Sequence, residues 1–164
     1  MEGLRTQGMN GIGAGLILFS AEGNLAMVEK LLEIEGINVN AVDRTLMTAL
    51  HWAALKGHME IVLLLLKKGA DLHRNDESQW TPLHWSCDCP HDQIAIFLMD
   101  EGACIHSTDR FQRTALHWLA SYGRQDLCIV FIDRGAAVNV EDIQQSTPLS
   151  LACRGNHVNM ASYT

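Results

Sequence analysis

The chain has 164 residues, 48% of them hydrophobic and 19% charged, and a formal net charge of −7. That length suits one domain with a real core, and the composition is ordinary for a globular protein. The acidic balance argues against nucleic acid and against an anionic membrane surface, which are both met with clustered Lys and Arg. A protein partner, basic if anything, fits better. Five cysteines, an odd count without framework spacing, favour a reduced cytosolic or nuclear setting.

In chain order, residues 1–13 are glycine-rich and read as a flexible leader. The run GIGAGLILFSA (11–21), with Arg5 upstream, has the outline of a signal peptide. It reads better as the first helix of a repeated unit. Three gapless copies of 33 residues follow. TALHWAALKGHMEIVLLLLKKGADLHRNDESQW starts at Thr48, TPLHWSCDCPHDQIAIFLMDEGACIHSTDRFQR at Thr81, and TALHWLASYGRQDLCIVFIDRGAAVNVEDIQQS at Thr114. A further copy begins at Thr147 and breaks off at Thr164, and a degenerate one begins at Ala14 with one extra residue before Gly36. The units are therefore 14–47, 48–80, 81–113, 114–146 and a partial 147–164. IVLLLL (61–66), followed by Lys67 and Lys68, is too short to cross a bilayer, so no membrane insertion is expected.

Each unit reads as helix, turn, helix, turn. Thr81 is placed to cap a helix whose first turn holds Pro82, where the missing N–H costs nothing. Leu83, Ser86 and Cys87 then face the core. Gly57 and Gly123 suit the left-handed end of that helix. Asn156 fills the slot in the last unit, whereas Pro90 in the third cannot take a positive φ. Ile61, Val62, Leu64, Leu65 and Leu66 recur at helical spacing in the second helix, which Gly69, Gly102 and Gly135 end. Asp43, Asp76, Asp109 and Asp142 return every 33 residues at the joining turn. No unit can bury both its faces alone, so the stack is the folding unit.

Thr-Pro-Leu-His, the Gly-His pair, the leucine-rich helix and the Gly-Ala-Asp stretch with its Asp-led turn closely resemble the ankyrin repeat. The resemblance covers about residues 14–164. It implies an all-α solenoid with turn fingers, no catalytic activity and no cofactor, and monomeric binding of another protein through finger tips and the concave side of the first helices. Mapped onto this chain, those positions are Arg44, Thr45 and Met47; Glu77, Ser78 and Trp80; Arg110, Phe111 and Arg113; Ile143, Gln144 and Ser146. On the helices they are Leu55, Lys56, Asp88, Cys89, Ser121 and Tyr122. Trp, Tyr and Arg among them are the types that dominate interface energy, and large aromatics on turn tips have little packing reason to be there. The resemblance also makes Asn40 and Asn139 candidate sites of asparagine hydroxylation. One departure stands out: the glycine the family usually has three residues after the Asp is here Leu46, Gln79, Gln112 or Gln145. Those turns either tolerate a side chain or carry strain.

Three further patterns compete with this reading. HWSCDCPH (84–91) gathers four soft ligands, His84, Cys87, Cys89 and His91, as a zinc site would. In the repeat frame, however, His84 matches the bracing His51 and His117, His91 matches His58, and Cys87 sits where a small buried residue is needed. Cys87 and Cys89 also lie two apart on a helix, on different faces, so no metal is expected. Trp52, Trp85 and Trp118, spaced by 33, invite a ligand cage but read first as packing between repeats, with Leu18 and Leu151 in the same slot at the ends. Leu63, Ile96 and Ile129 form an apolar line on the back. They are either partly covered aliphatics or a docking seam. An alternative to a free-standing adaptor is a substrate-recognition piece or short form of a larger protein, such as an ankyrin palmitoyltransferase or a ubiquitin-ligase adaptor.

Overall fold

The computed structural model describes residues 11–88 and 90–155. Among these, helices α1 (Gly11–Glu22), α3 (Ala49–Lys56), α5 (Pro82–Cys87), α7 (Ala115–Ser121) and α9 (Pro148–Arg154) are the first helices of successive repeats. The second helices are α2 (Leu25–Leu32), α4 (Met59–Lys67), α6 (Asp92–Asp100) and α8 (Gln125–Asp133). First helices pack in series, α1 on α3, α3 on α5, α5 on α7 and α7 on α9, and α1, α3, α5 and α7 each pack on their own second helix. Between repeats the chain projects as a finger, pinned at the base by isolated bridges such as Val42 to Thr48 and Thr108 to Thr114. The result is the all-α solenoid that the repeats imply.

Helix entry is the same in each full repeat. Thr48, Thr81 and Thr114 hold extended backbone as N-caps, and the histidine three residues on completes a reciprocal box. The Thr48 N–H donates to His51 Nδ1 at 3.1 Å, and His51 Nε2 donates to the carbonyl of Trp80, the last residue of its own repeat, at 3.1 Å. His117 does the same toward Ser146 at 3.2 Å. In the last repeat Ser150 replaces the histidine, and its hydroxyl donates to the Thr147 carbonyl. Leu16, Val28, Leu50, Val62, Leu65, Leu83, Ile94, Leu98, Leu119 and Phe131 form one continuous buried core. Leu64 and Leu66 pack against its edge.

Residues 11–13, expected to lie in a flexible leader, are part of α1. α1 already begins at Gly11, and Gly13 is buried so closely that a Cβ there would lie 2.8 Å from Ala41 Cβ. Gly57 shows why a residue is fixed twice over. Its φ is +81°, and a Cβ on it would meet the His91 ring at 2.4 Å. His91 thus seats on Gly57, as His58 does on Gly23. Where the third repeat has Pro90 instead, α5 is shortened to six residues and ends on Asp88 in right-handed backbone. The following repeat correspondingly replaces histidine with Arg124, whose guanidinium donates to Asp92.

Candidate protein-binding surface

The fingers are organised by their aspartates. In each, one carboxylate oxygen accepts backbone N–H groups two and four residues on: Ser78 and Trp80 for Asp76, both at 2.8 Å, and Phe111 and Arg113 for Asp109 at 2.8 and 2.9 Å. Asp43 and Asp142 repeat the pattern. The other oxygen accepts an indole N–H nine residues ahead: Trp52 to Asp43 at 2.8 Å, Trp85 to Asp76 at 2.9 Å and Trp118 to Asp109 at 3.0 Å. The recurring tryptophans therefore lock each finger to the first helix of the repeat that follows it, beyond the packing between repeats expected of them. The recurring Asp-to-Trp spacing was visible in the sequence and is the signal for it. In the last finger Leu151 stands in the tryptophan slot. There Asp142, its side chain closed to solvent, takes the Arg113 Nε from the preceding finger at 2.8 Å. Burial alone would raise the Asp142 carboxyl, but the Arg113 bond and the Ser146 and Gln144 N–H groups hold it below the ordinary range. Asp43 is held low in the same way, against burial, by Thr45, Trp52 and Met47.

The turn departure resolves as strain. Leu46, Gln79, Gln112 and Gln145 have φ of 62°, 62°, 59° and 59°, the left-handed region that disfavours a side chain. Neighbouring fingers are also tied to one another, by Glu77 N–H to Thr45 O at 2.9 Å, Arg110 N–H to Ser78 O at 3.2 Å and Ile143 N–H to Phe111 O at 3.0 Å.

On this frame a cluster of rings and guanidinium groups gathers across the second, third and fourth repeats. Trp80 stands 4.7 Å from Trp85 and 5.0 Å from Trp118, tilted by 53° and 56°. Trp118 lies 5.9 Å from Tyr122. Arg113 sits 5.8 Å over Phe111 and 5.2 Å over Trp118, with Arg110 5.0 Å over Phe111 from the other side of the finger sequence. Tyr122, 40% exposed, donates its hydroxyl to exposed Asp88 at 2.7 Å. Burial and that acceptor together push the phenol well above its ordinary value.

Several expected contact residues are placed otherwise. Met47 is only 4% exposed and belongs to the core, because its N–H turns in to Asp43 just before the Thr48 cap. Ser146 is buried likewise. Trp80 is half-buried and does have a packing reason: it lies against both Trp85 and Trp118. Leu55 is half-buried, while Lys56 is exposed with its Nζ 6.0 Å over the Trp52 ring. Arg44, Glu77, Arg110, Phe111, Ile143 and Gln144 are exposed at the tips. Cys89 lies outside the described residues.

Of the remaining candidates, Asn40 is half-buried and stitches two repeats, accepting the Asp71 N–H at 2.8 Å and donating to the Gly69 carbonyl. Asn139 is exposed. On the back, Leu63 is 44% exposed but Ile96 and Ile129 are half-buried, so the apolar line is interrupted. In HWSCDCPH, His84 is capped by Thr81, Cys87 is core and His91 rests on Gly57. Among the described residues no three His, Cys, Asp or Glu side chains gather as a metal site needs, and no helix is long and apolar enough to span a membrane.

A stack of helix pairs whose fingers and first helices carry clustered aromatic and cationic side chains defines a repeat solenoid of the protein-interaction class. A profile described as "Ankyrin repeats (3 copies)" matches residues 16–109 and 105–163, and the chain belongs to the ankyrin-repeat family. Among curated proteins it is similar to "Palmitoyltransferase akr1" of Schizosaccharomyces pombe (strain 972 / ATCC 24843), 46% identical over 56 residues. That match covers 34% of this chain and 9% of the relative's length.

Proposed function

We propose that this array binds a partner protein through its finger tips and concave first helices, without chemistry of its own. The observation that carries this reading is the cluster of Trp80, Phe111, Trp118 and Tyr122 with Arg110 and Arg113, on a scaffold whose family is one of interaction modules. Aromatic and arginine side chains held on a rigid frame bind with little entropy left to lose. The test is capture from cell lysate by the intact chain beside a Phe111→Ala, Tyr122→Ala, Arg110→Ala variant, with circular dichroism confirming both fold. A protein retained by the first and lost by the second supports the reading. Equal retention moves the contact to the Leu63 side.

A second reading is favoured by the match to the palmitoyltransferase: the array recognises substrate on behalf of a larger protein. An in-frame coding continuation that completes the repeat begun at Thr147 and runs into a catalytic or membrane segment supports it. A stop codon directly after Thr164 in every transcript favours the adaptor.

A further inference from the structure

We propose that Trp80, Trp85, Trp118, Tyr122 and Asp88 form a cage for a dimethylated lysine side chain of the partner, an inference that deepens the protein-binding reading and rests on it. Trp80 is tilted by more than 50° against each of the other two indoles, so the rings meet at angles and not as a flat stack. Two of those rings are fixed in advance, since the N–H edges of Trp85 and Trp118 are committed to Asp76 and Asp109. All three indoles are half-buried and Tyr122 is exposed, which leaves ring surface for a ligand. An aromatic face attracts a cation, most strongly when the cation sheds its water. The chain's net charge of −7 also favours a basic partner.

The polar groups choose among ammonium ions. Asp88 accepts the Tyr122 hydroxyl on Oδ1, and among the described residues nothing donates to its Oδ2. Among those residues Oδ2 is an open acceptor, and the Tyr122 that holds Asp88 has its ring 5.9 Å from Trp118. An unmethylated ammonium brings three N–H donors and a tight hydration shell, and two donors would be left without partners. A trimethylated one brings none, leaving the carboxylate unmet. A dimethylammonium brings one N–H for Asp88 Oδ2 and two methyl groups for the rings.

The probes are Nα-acetyl-lysine methylamides carrying zero, one, two or three Nε-methyl groups, titrated into the intact 15N-labelled chain. The readout is the indole N–H resonances of Trp85 and Trp118. The expected result is that the dimethyl probe shifts both signals and binds about fivefold tighter than the unmethylated one. Asp88→Asn should level the dimethyl and trimethyl affinities. Trp85→Leu should abolish the response at Trp118, and leucine is a residue the repeat itself accepts in that slot, at Leu18 and Leu151. Indole signals that respond to no probe, or equally to the unmethylated and dimethyl probes, would overturn the cage. These probes need no partner protein, so a silent spectrum removes the cage alone. Equal capture by the intact and finger-variant chains removes the surface reading.

Discussion

At the scale of single residues, the histidines carry the clearest consequence. His51, His84 and His117 each use Nδ1 as acceptor for a threonine N–H. Protonation would set a second hydrogen against that donor. Burial lowers all three pKa values, His84 to about 4, against the weaker opposing pull of nearby aspartates and carbonyls. Because the folded values lie below the ordinary 6.5, the unfolded chain takes up protons first. Stability is whole above about pH 6.5 and falls as pH drops toward 4, with a slope of up to about 1.4 kcal/mol per pH unit for each histidine. Urea titrations at pH 7.5, 6 and 5 check this; an unchanged midpoint would refute it. The left-handed glutamines make an opposite prediction. Gln79→Gly and Gln112→Gly remove a side chain from φ near +60°, and each should stabilise the fold by about 1 kcal/mol, read as a higher urea midpoint.

At the scale of the element, the finger is a closed hydrogen-bond device whose aspartate must have a partner on both oxygens. Asp142 has the last such carboxylate among the described fingers, with Arg113 where the others have an indole. Arg113→Leu leaves a buried carboxylate short of a donor and should cost about 3 kcal/mol. Adding Leu151→Trp restores the nine-residue Asp-to-Trp pairing seen at Asp109 and Trp118. The double variant should recover at least half of the loss in thermal or urea unfolding. A double variant no more stable than Arg113→Leu would show that the guanidinium acts through Phe111 and Trp118 packing instead. The same element sets which finger positions are covered: Met47 and Ser146 are buried. Met47 and Ser146 occupy the last position of the finger, and there the chain has already turned back beneath the Asp carboxylate.

At the scale of the whole molecule, the fingers are joined by a line of backbone bonds from Thr45 through Ser78 to Phe111 and Ile143. Exposed tips on a linked backbone form a rigid edge, as the proposed binding would need. In native-state hydrogen exchange the amides of Glu77, Arg110 and Ile143 should be protected although their side chains face solvent. Exchange of these amides at the rate of an unfolded chain would mean that the fingers move independently. Rigidity is also what the ring cluster needs, since Trp80, Trp85, Trp118 and Tyr122 come from three repeats and hold their spacing only if the stack does.

The repeat period, the capping threonines and the glycine ends are local patterns, each written in a few adjacent residues. The sequence by itself therefore determined the solenoid, the order of its helices and the line of finger positions. Which finger residues are available was decided only in the tertiary structure. Met47 and Phe111 look alike as apolar residues beside a turn, yet one is closed off and the other is 37% exposed. The exchange of Trp for Leu at 151 likewise changes nothing until Asp142 and Arg113 are brought together. Burial and pairing depend on residues some 30 positions away, and a one-dimensional pattern records the spacing of side chains but not the distance between them in space.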